Sequence, residues 1–239
     1  MHMPHASDDQ ALLALWEQAL ALPAAHRGEA LLPDAAACTL GERNARLARL
    51  HAQTFGAGID LLSHCPACGA GAQFSGDCEQ LMQGGALADA SVVHQALLFG
   101  HEVEFRLPRS GDVAAASAEK DEVFARRLME ACVLRCSRDG QALAPSELPL
   151  AVLDAVSQRM EVLDPTASIS FALSCPHCAA PWEARLDLAQ LVWQKLQARV
   201  EGLLLDVDTL ARRYGWSEHE VLSLSRTRRA AYVQLASTA

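Results

Sequence analysis

Apolar positions recur three and four residues apart along most of the chain, a spacing that predicts helices, with two stretches where the period shortens to two. A first helix is expected from about Asp9 to Leu22, with Asp8 as N-cap, Leu12, Trp16 and Leu20 on one face and Pro23 as its stop. A second helical patch spans about His26 to Leu32 and ends at Pro33. Thr39-Leu-Gly-Glu42 has capping-box spacing and opens a third helix, with Leu47 and Leu50 inward, Arg43, Arg46 and Arg49 outward, and Phe55-Gly56 at its end.

From about Leu61 to Leu107 glycine is frequent and the runs turn β-like. Val92-Val93 and His101–Leu107 read as strands, the second with Glu102 and Glu104 alternating against Val103 and Phe105 and so marking its outer face. Pro108 to Gly111 reads as a turn, Glu119 to Leu134 as a helix carrying Cys132 and Cys136, and Asp139-Gly140 as a turn. Ser146 is expected to cap a helix reaching Met160, Asp164-Pro165 to break the chain, and Ser168 to Leu173 to form a strand. The longest helix is predicted from Leu188 to Arg213, with a seam of Val192, Leu196, Val200, Leu203, Val207, Leu210 and Tyr214. Tyr-Gly-Trp216 makes a turn, Ser217-x-x-Glu220 is a second capping box, and Ser225 caps the final helix. The fold class expected is α+β, mainly α-helical. It comprises an N-terminal helical region over residues 1–60, a core over 61–187 and a C-terminal helical module over 188–239.

The core contains an internal repeat. At a constant offset of 110, Cys65, Pro66 and Cys68 match Cys175, Pro176 and Cys178, and Asp77, Gln80 and Leu81 match Asp187, Gln190 and Leu191. Each copy reads Cys-Pro-x-Cys, a short strand, then the start of a helix. Two cysteines separated by two residues wrap one edge of a tetrahedron, so a four-coordinate zinc site needs two such knuckles, and the chain has two. Closing the intervening loop costs about 4 kcal/mol plus a constant, whereas a structural thiolate zinc site contributes roughly 10–16 kcal/mol in peptide systems. The expectation is therefore a split zinc ribbon holding one structural Zn2+ on Cys65, Cys68, Cys175 and Cys178. Four thiolates leave no open position, which points away from catalysis at the metal. A redox Cys-x-x-Cys is the rival reading, and the duplication argues against it. His64 and His177 are potential substitute ligands that four cysteines make unnecessary.

Composition narrows the classes. The 239 residues carry a formal net charge of −9, which speaks against nucleic acid as partner, and 51% hydrophobic residues argue against disorder. Residues 1–9 lack an apolar signal core, and no run approaches the 18 apolar residues of a membrane span. A cytoplasmic, thiol-reducing setting and no membrane partner are expected. Cys38, Cys78, Cys132 and Cys136 read as packing thiols. No phosphate-binding loop, nucleophile elbow or zinc-protease motif is present, so no catalytic residue is assigned and a non-enzymatic role is expected. The last forty residues, ending in Arg226-Thr-Arg228-Arg229, have a helix-turn-helix outline, which keeps a DNA-binding regulator open as an alternative. Nothing in the sequence sets an oligomeric state.

Several stretches together carry a resemblance. They are the Leu-Trp-Glu helix with Trp16, Leu40-Gly-Glu-Arg-Asn44, the first knuckle Cys-Pro-x-Cys-Gly, Phe105-Arg-Leu-Pro108, the second knuckle with Pro181-Trp182, and Asp206 to Glu218 running into Leu224-Ser225 and Arg228-Arg229-Ala-Ala-Tyr232. The chain resembles zinc-knuckle proteins encoded beside phage-tail-like contractile injection systems. Its Tyr-Gly-Trp module is similar to that of baseplate and hub assembly proteins of contractile-tailed phages. The resemblance implies an assembly factor, chaperone or minor baseplate component that binds tail or baseplate proteins. The helix from Val192 to Tyr214, with Trp216, Leu222, Leu224, Arg228, Arg229 and Tyr232, would form or support the docking surface. Gly69 of the first knuckle is Ala179 in the second, so the second turn is expected to differ in detail.

Overall fold

The structure, a computed structural model, describes residues 6–23, 27–32, 34–81, 88–116 and 121–238. Asp8, whose side chain lies outside the description, falls inside helix α1 (Ala6–Leu20) and is not its N-cap; His26, Pro33 and Glu119 also lie outside the described residues. The chain divides into two compact units, Leu32–Ala189 and a split unit of Met1–Leu31 with Gln190–Ala239.

The continuous unit begins with α2 (Leu40–Phe55). The Thr39 hydroxyl accepts from the Glu42 amide at 3.1 Å, satisfying one of the orphan donors of the first turn. Gly41, Asn44, Leu47, Ala48 and His51 form its buried face. Two of these residues have a specific reason. The Asp164 carboxylate accepts from the Gly41 amide at 2.9 Å, and the Asn44 side chain donates to the carbonyls of Thr166 and Ala167. A negative group is thus set against the positive end of α2. Position 41 has no room for a side chain: a Cβ there would lie 1.8 Å from Asp164 Oδ1.

After α2 come an antiparallel hairpin, β1 (Gly58–His64) with β2 (Gly71–Asp77), and the short α3 (Cys78–Leu81). A four-stranded antiparallel sheet follows, in the order β3 (Val93–Leu98), β4 (His101–Arg106), β5 (Val133–Arg138) and β6 (Gln141–Leu143). Between β4 and β5 run α4 (Ser110–Ala116) and α5 (Asp121–Cys132). The expected turn at Pro108–Gly111 is replaced by the start of α4. Asp112 makes that start possible by accepting from the Arg109 amide at 2.8 Å and from both terminal nitrogens of Arg106 at 2.6 and 2.8 Å. Cys132 and Cys136 do not share a helix: α5 ends at Cys132, and Cys136 lies in β5. The β-branched Val133 and the pairing with β4 overrule the helical period there.

Helix α6 (Leu150–Leu163) packs on the inner face of the sheet. Val103, Phe105 and Leu107 meet Val133, Leu148, Val152, Leu153, Val156 and Met160 in one buried cluster. Ser146 is not its cap; Pro145–Glu147 form a 3-10 turn, and Pro149 occupies the N-cap position. The second hairpin, β7 (Ile169–Ser174) with β8 (Pro181–Leu186), closes the unit.

Helix α7 (Leu188–Tyr214) carries most of the predicted seam: Val192, Leu196, Val200, Leu203 and Leu210 are buried, Val207 is half-buried and Tyr214 is exposed. In the split unit it is joined by α1, α8 (Glu218–Leu222) and α9 (Arg226–Ser237). Ser217 and Glu220 form the reciprocal capping box, and the Ser225 hydroxyl accepts from the Arg228 amide. The buried face of α1 differs from the expectation: Asp9 and Ala19 are buried, whereas Leu20 is exposed. Asp9 is buried against the guanidinium of Arg229.

Gly41→Ala is expected to lower unfolding stability by about 2–4 kcal/mol, because overpacking and a lost buried hydrogen bond act together. Urea denaturation of the variant against the parent checks it, and a change below 0.5 kcal/mol would remove the close approach from this account.

Candidate metal centre

Each hairpin presents its knuckle at the tip. In the first, the Cys65 amide donates to the Ala70 carbonyl at 2.9 Å and the Gly69 amide to the Cys65 carbonyl at 2.8 Å. In the second, the Cys175 amide donates to Ala180 at 3.0 Å and the Ala179 amide to Cys175 at 2.9 Å. The strands keep the same register at an offset of 110, His64 opposite Gly71 and Ser174 opposite Pro181. Gly69 and Ala179 both occupy the left-handed region, at φ 74° and 58°. The second turn therefore does not differ from the first. Hydrogen bonding imposes its shape, and Ala179 bears the steric cost that Gly69 avoids.

The two knuckles meet. Cys65 Sγ lies 3.7 Å from Cys178 Sγ, and Cys68 Sγ lies 3.6 Å from Cys175 Sγ. All four sulfurs fall within 4.8 Å of one another, and such a group could hold a metal ion. The contacts are reciprocal: the first cysteine of each motif meets the second cysteine of the other. A zinc–sulfur bond of about 2.3 Å sets the edge of an ideal S4 tetrahedron at about 3.8 Å. The observed separations match that edge and are far longer than the roughly 2.05 Å of a disulfide. Cys65 and Cys175 are buried, Cys68 and Cys178 exposed. His64 and His177 lie outside the cluster of candidate ligands.

The thiols are unequal. The Cys178 amide pulls Cys175 down; burial opposes it and the His177 amide reinforces it, leaving Cys175 at about 6. At Cys68 the Ala70 amide also pulls down, but the Cys178 thiol and burial outweigh it and push Cys68 up to about 12. The backbone donors of the second knuckle thus favour negative charge on the Cys175 sulfur, whereas Cys178 is shifted upward.

Side chains from the two hairpins pack behind the sulfurs. Trp182 Nε1 donates to Ser63 Oγ at 3.2 Å, and the rings of Phe74 and Phe171 sit 5.0 Å apart, inclined by 60°. These partners were not legible as a site in the sequence. The one available signal was the alternation that repeats with the knuckles, with Leu61 and Phe171 in equivalent positions.

The residues expected at a partner surface all lie in the split unit and fall into two sets. Tyr214, Trp216 and Tyr232 form an aromatic group: Tyr214 stacks on Trp216 at 5.0 Å, and Tyr232 meets Trp216 edge-on at 4.9 Å. Arg228 is exposed and Leu224 half-buried. Leu222 and Arg229, in contrast, are interior, each 2% exposed. Arg229 Nη2 donates to Asp9 Oδ2 at 2.6 Å and its Nε to Asp206 Oδ2 at 3.1 Å. Arg199 and Arg226 also reach Asp9, at 3.0 and 3.7 Å. Arg229 is thus no surface cation, and Asp9, which sequence reading passed over, is the buried acid that explains it. Burial alone would raise the Asp9 carboxyl, but the hydrogen bond and charge of Arg229, aided by Arg199, hold it below its ordinary value of 3.8.

Among the described residues no helix is long and apolar enough to cross a membrane. Comparisons with protein-family models, with curated proteins and with solved structures found no match to this chain.

Ala179→Gly is expected to stabilise the protein by about 1 kcal/mol by relieving the left-handed alanine; an unchanged or lower midpoint in chemical denaturation would contradict this. Asp9→Ala is expected to cost about 3–5 kcal/mol, since it removes one carboxylate from a buried guanidinium. The pH dependence has a definite sign. With the folded value lowered, the Asp9 contribution is complete above the unfolded value near 4 and is lost as pH falls through the folded one. The gap in melting between parent and Asp9→Asn should therefore be full and level at neutral pH and narrow as pH falls below about 4.

Proposed function

We propose that Cys65, Cys68, Cys175 and Cys178 hold one structural zinc ion that closes a split zinc ribbon. We further propose that the protein works without catalysis as an assembly factor or minor structural component of a contractile, phage-tail-like baseplate. The observation that carries the zinc reading is the reciprocal 3.7 and 3.6 Å approach of thiols from two equivalent knuckles. When bound, the ion would supply four bonds and no open coordination position, so its chemistry is cross-linking. The partner class comes from the resemblance of the knuckles and the Tyr-Gly-Trp module to tail-assembly proteins. The docking surface consistent with that role is the aromatic group Tyr214, Trp216 and Tyr232 with Leu224 and Arg228, since large aromatics and arginine dominate binding hot spots. Leu222 and Arg229 support it from beneath.

Freshly purified, reduced protein is expected to contain one zinc per chain by elemental analysis. Cys68→Ser combined with Cys178→Ser should lose it, and chelation should raise amide exchange in both hairpins. Zinc-free protein with unchanged hairpins would refute the metal reading. For the role, co-expression with baseplate and spike proteins should yield a complex. Trp216→Ala with Tyr232→Ala should weaken it at least ten-fold while the fold is retained; no complex with any such protein would refute the role.

A further inference from the structure

The edge strand β3 carries a second, independent message. Its sequence, Val93-His-Gln-Ala-Leu-Leu98, contains no lysine, acid or proline, the devices that keep edge strands from pairing. Among the described residues no strand pairs with its outer side, whereas the opposite edge, β6, is only three residues long. Large apolar side chains are exposed along and beside it: Val92, Val93, Leu97 and, at the turn, Phe99. Phe99 also adopts φ 50° in that turn, with Gly100 at 78°, a conformation that asparagine or glycine would take at lower cost.

Strand geometry says what fits this edge. Leu98 and His101 flank a two-residue turn as a hydrogen-bonded pair, so His94, Ala96 and Leu98 direct their backbone groups to β4. The amides and carbonyls of Val93, Gln95 and Leu97 therefore point away from the sheet. The side chains of the same three residues lie on the exposed outer face. A second β3 laid antiparallel about a dyad at Gln95 meets every requirement at once. Gln95 faces its own copy, Val93 faces Leu97 on both sides of the dyad, and all three pairs are of the hydrogen-bonding kind. Side chains stay on their own faces, because opposite residues in such a pair share a face. The tip carries Phe99 past Val93 to the level of Ser91 of the other copy, beside Val92, so each of the four exposed apolar residues finds an apolar neighbour. No charges are opposed at the junction. In the flanking β4 strands the two off-centre rows end with Arg106 on one copy and Glu102 on the other, while the central row ends with Glu104 on both, each accepting from the Gln95 side-chain amide of its own chain.

We infer that β3 is a homodimer interface through which two copies of this chain join their four-stranded sheets edge to edge about Gln95. The occupant is a second copy because this edge is complementary to itself in register and face, and its two off-centre rows set Arg106 against Glu102. Extended partners dock on free sheet edges in the same way, main-chain bonds giving affinity and alternate side chains specificity.

The test uses the full chain. Light scattering coupled to size exclusion is expected to give twice the 25.7 kDa chain mass at tens of micromolar protein. Gln95→Lys, which sets two ammonium groups against each other at the dyad, should weaken the dimer at least ten-fold with an unchanged circular dichroism spectrum. Leu97→Lys should do the same, whereas Leu150→Lys, at an exposed apolar site on α6, should leave the dimer intact. Amide exchange at Val93, Gln95 and Leu97 should be slow in the parent and fast in Gln95→Lys. A monomeric parent, a dimer that survives both β3 variants, or fast exchange at those amides in the parent dimer would each overturn the assignment.

Discussion

Two hairpins of two strands each, with no third strand joined to them among the described residues, are marginal structures in water. Each here buries only its end isoleucine, Ile59 or Ile169, and the first cysteine of its knuckle, while the remaining strand positions are half-buried or exposed. They meet at a cluster of four sulfurs, a group that could hold a metal ion, with Trp182, Phe74 and Phe171 behind. That meeting brings residue 65 to residue 178, and the segment between contains the sheet and α6 with a core of their own. The loop is thus already shortened by folding before the sulfurs meet. Its entropic cost falls on the whole unit and not on the sulfur cluster alone.

The split unit solves a different problem with charge. A buried ion pair is weak evidence for stability, because desolvation offsets most of the attraction, but losing one partner is costly. Asp9 serves Arg199, Arg226 and Arg229, and Asp206 shares Arg229. These residues come from opposite ends of the chain, α1 on one side and α7 and α9 on the other. The network therefore acts as a registration device: α1 fits the C-terminal helices at the one position that leaves no buried charge alone.

What could be read from the sequence was what repeats or alternates. The seam of α7, the second capping box, the Asp139-Gly140 turn and the knuckle duplication all have a period or a fixed spacing, and the structure shows each of them. What could not be read was decided by neighbours far along the chain. Cys136 left the helical period because β4 offered it a pairing partner. Gly41 stood in the sequence only as part of a capping box, and no local signal shows that Asp164 will accept from its amide. Arg229 looked solvated because nothing local announces that Asp9, 220 residues earlier, will meet it. Ala179 shows the converse: a substitution that suggested a different turn changed only its strain, since the hydrogen bonds at Cys175 fix the conformation.

The duplication raises a question of specificity, because equivalent knuckles on different chains present the same sulfurs. The residues behind the sulfurs answer it, since the two copies are unlike where they touch. Trp182 of the second copy donates to Ser63 of the first; the position equivalent to Ser63 is Leu173, which accepts nothing, so two second copies facing each other would leave the indole N–H without that acceptor. Phe171 lies against Phe74 and over Gly76, where a Cβ would sit 3.7 Å from the ring; the equivalents of Phe74 and Gly76 are Ala184 and Leu186, which remove the aromatic neighbour and fill the gap. Two first copies would set Ala72 where Trp182 stands and Leu61 where Phe171 stands, and lose both contacts. Only an unlike pair, one first and one second copy, satisfies the polar group and fills the space. The sulfurs alone do not distinguish one knuckle from another, and the packing behind them selects a first copy against a second.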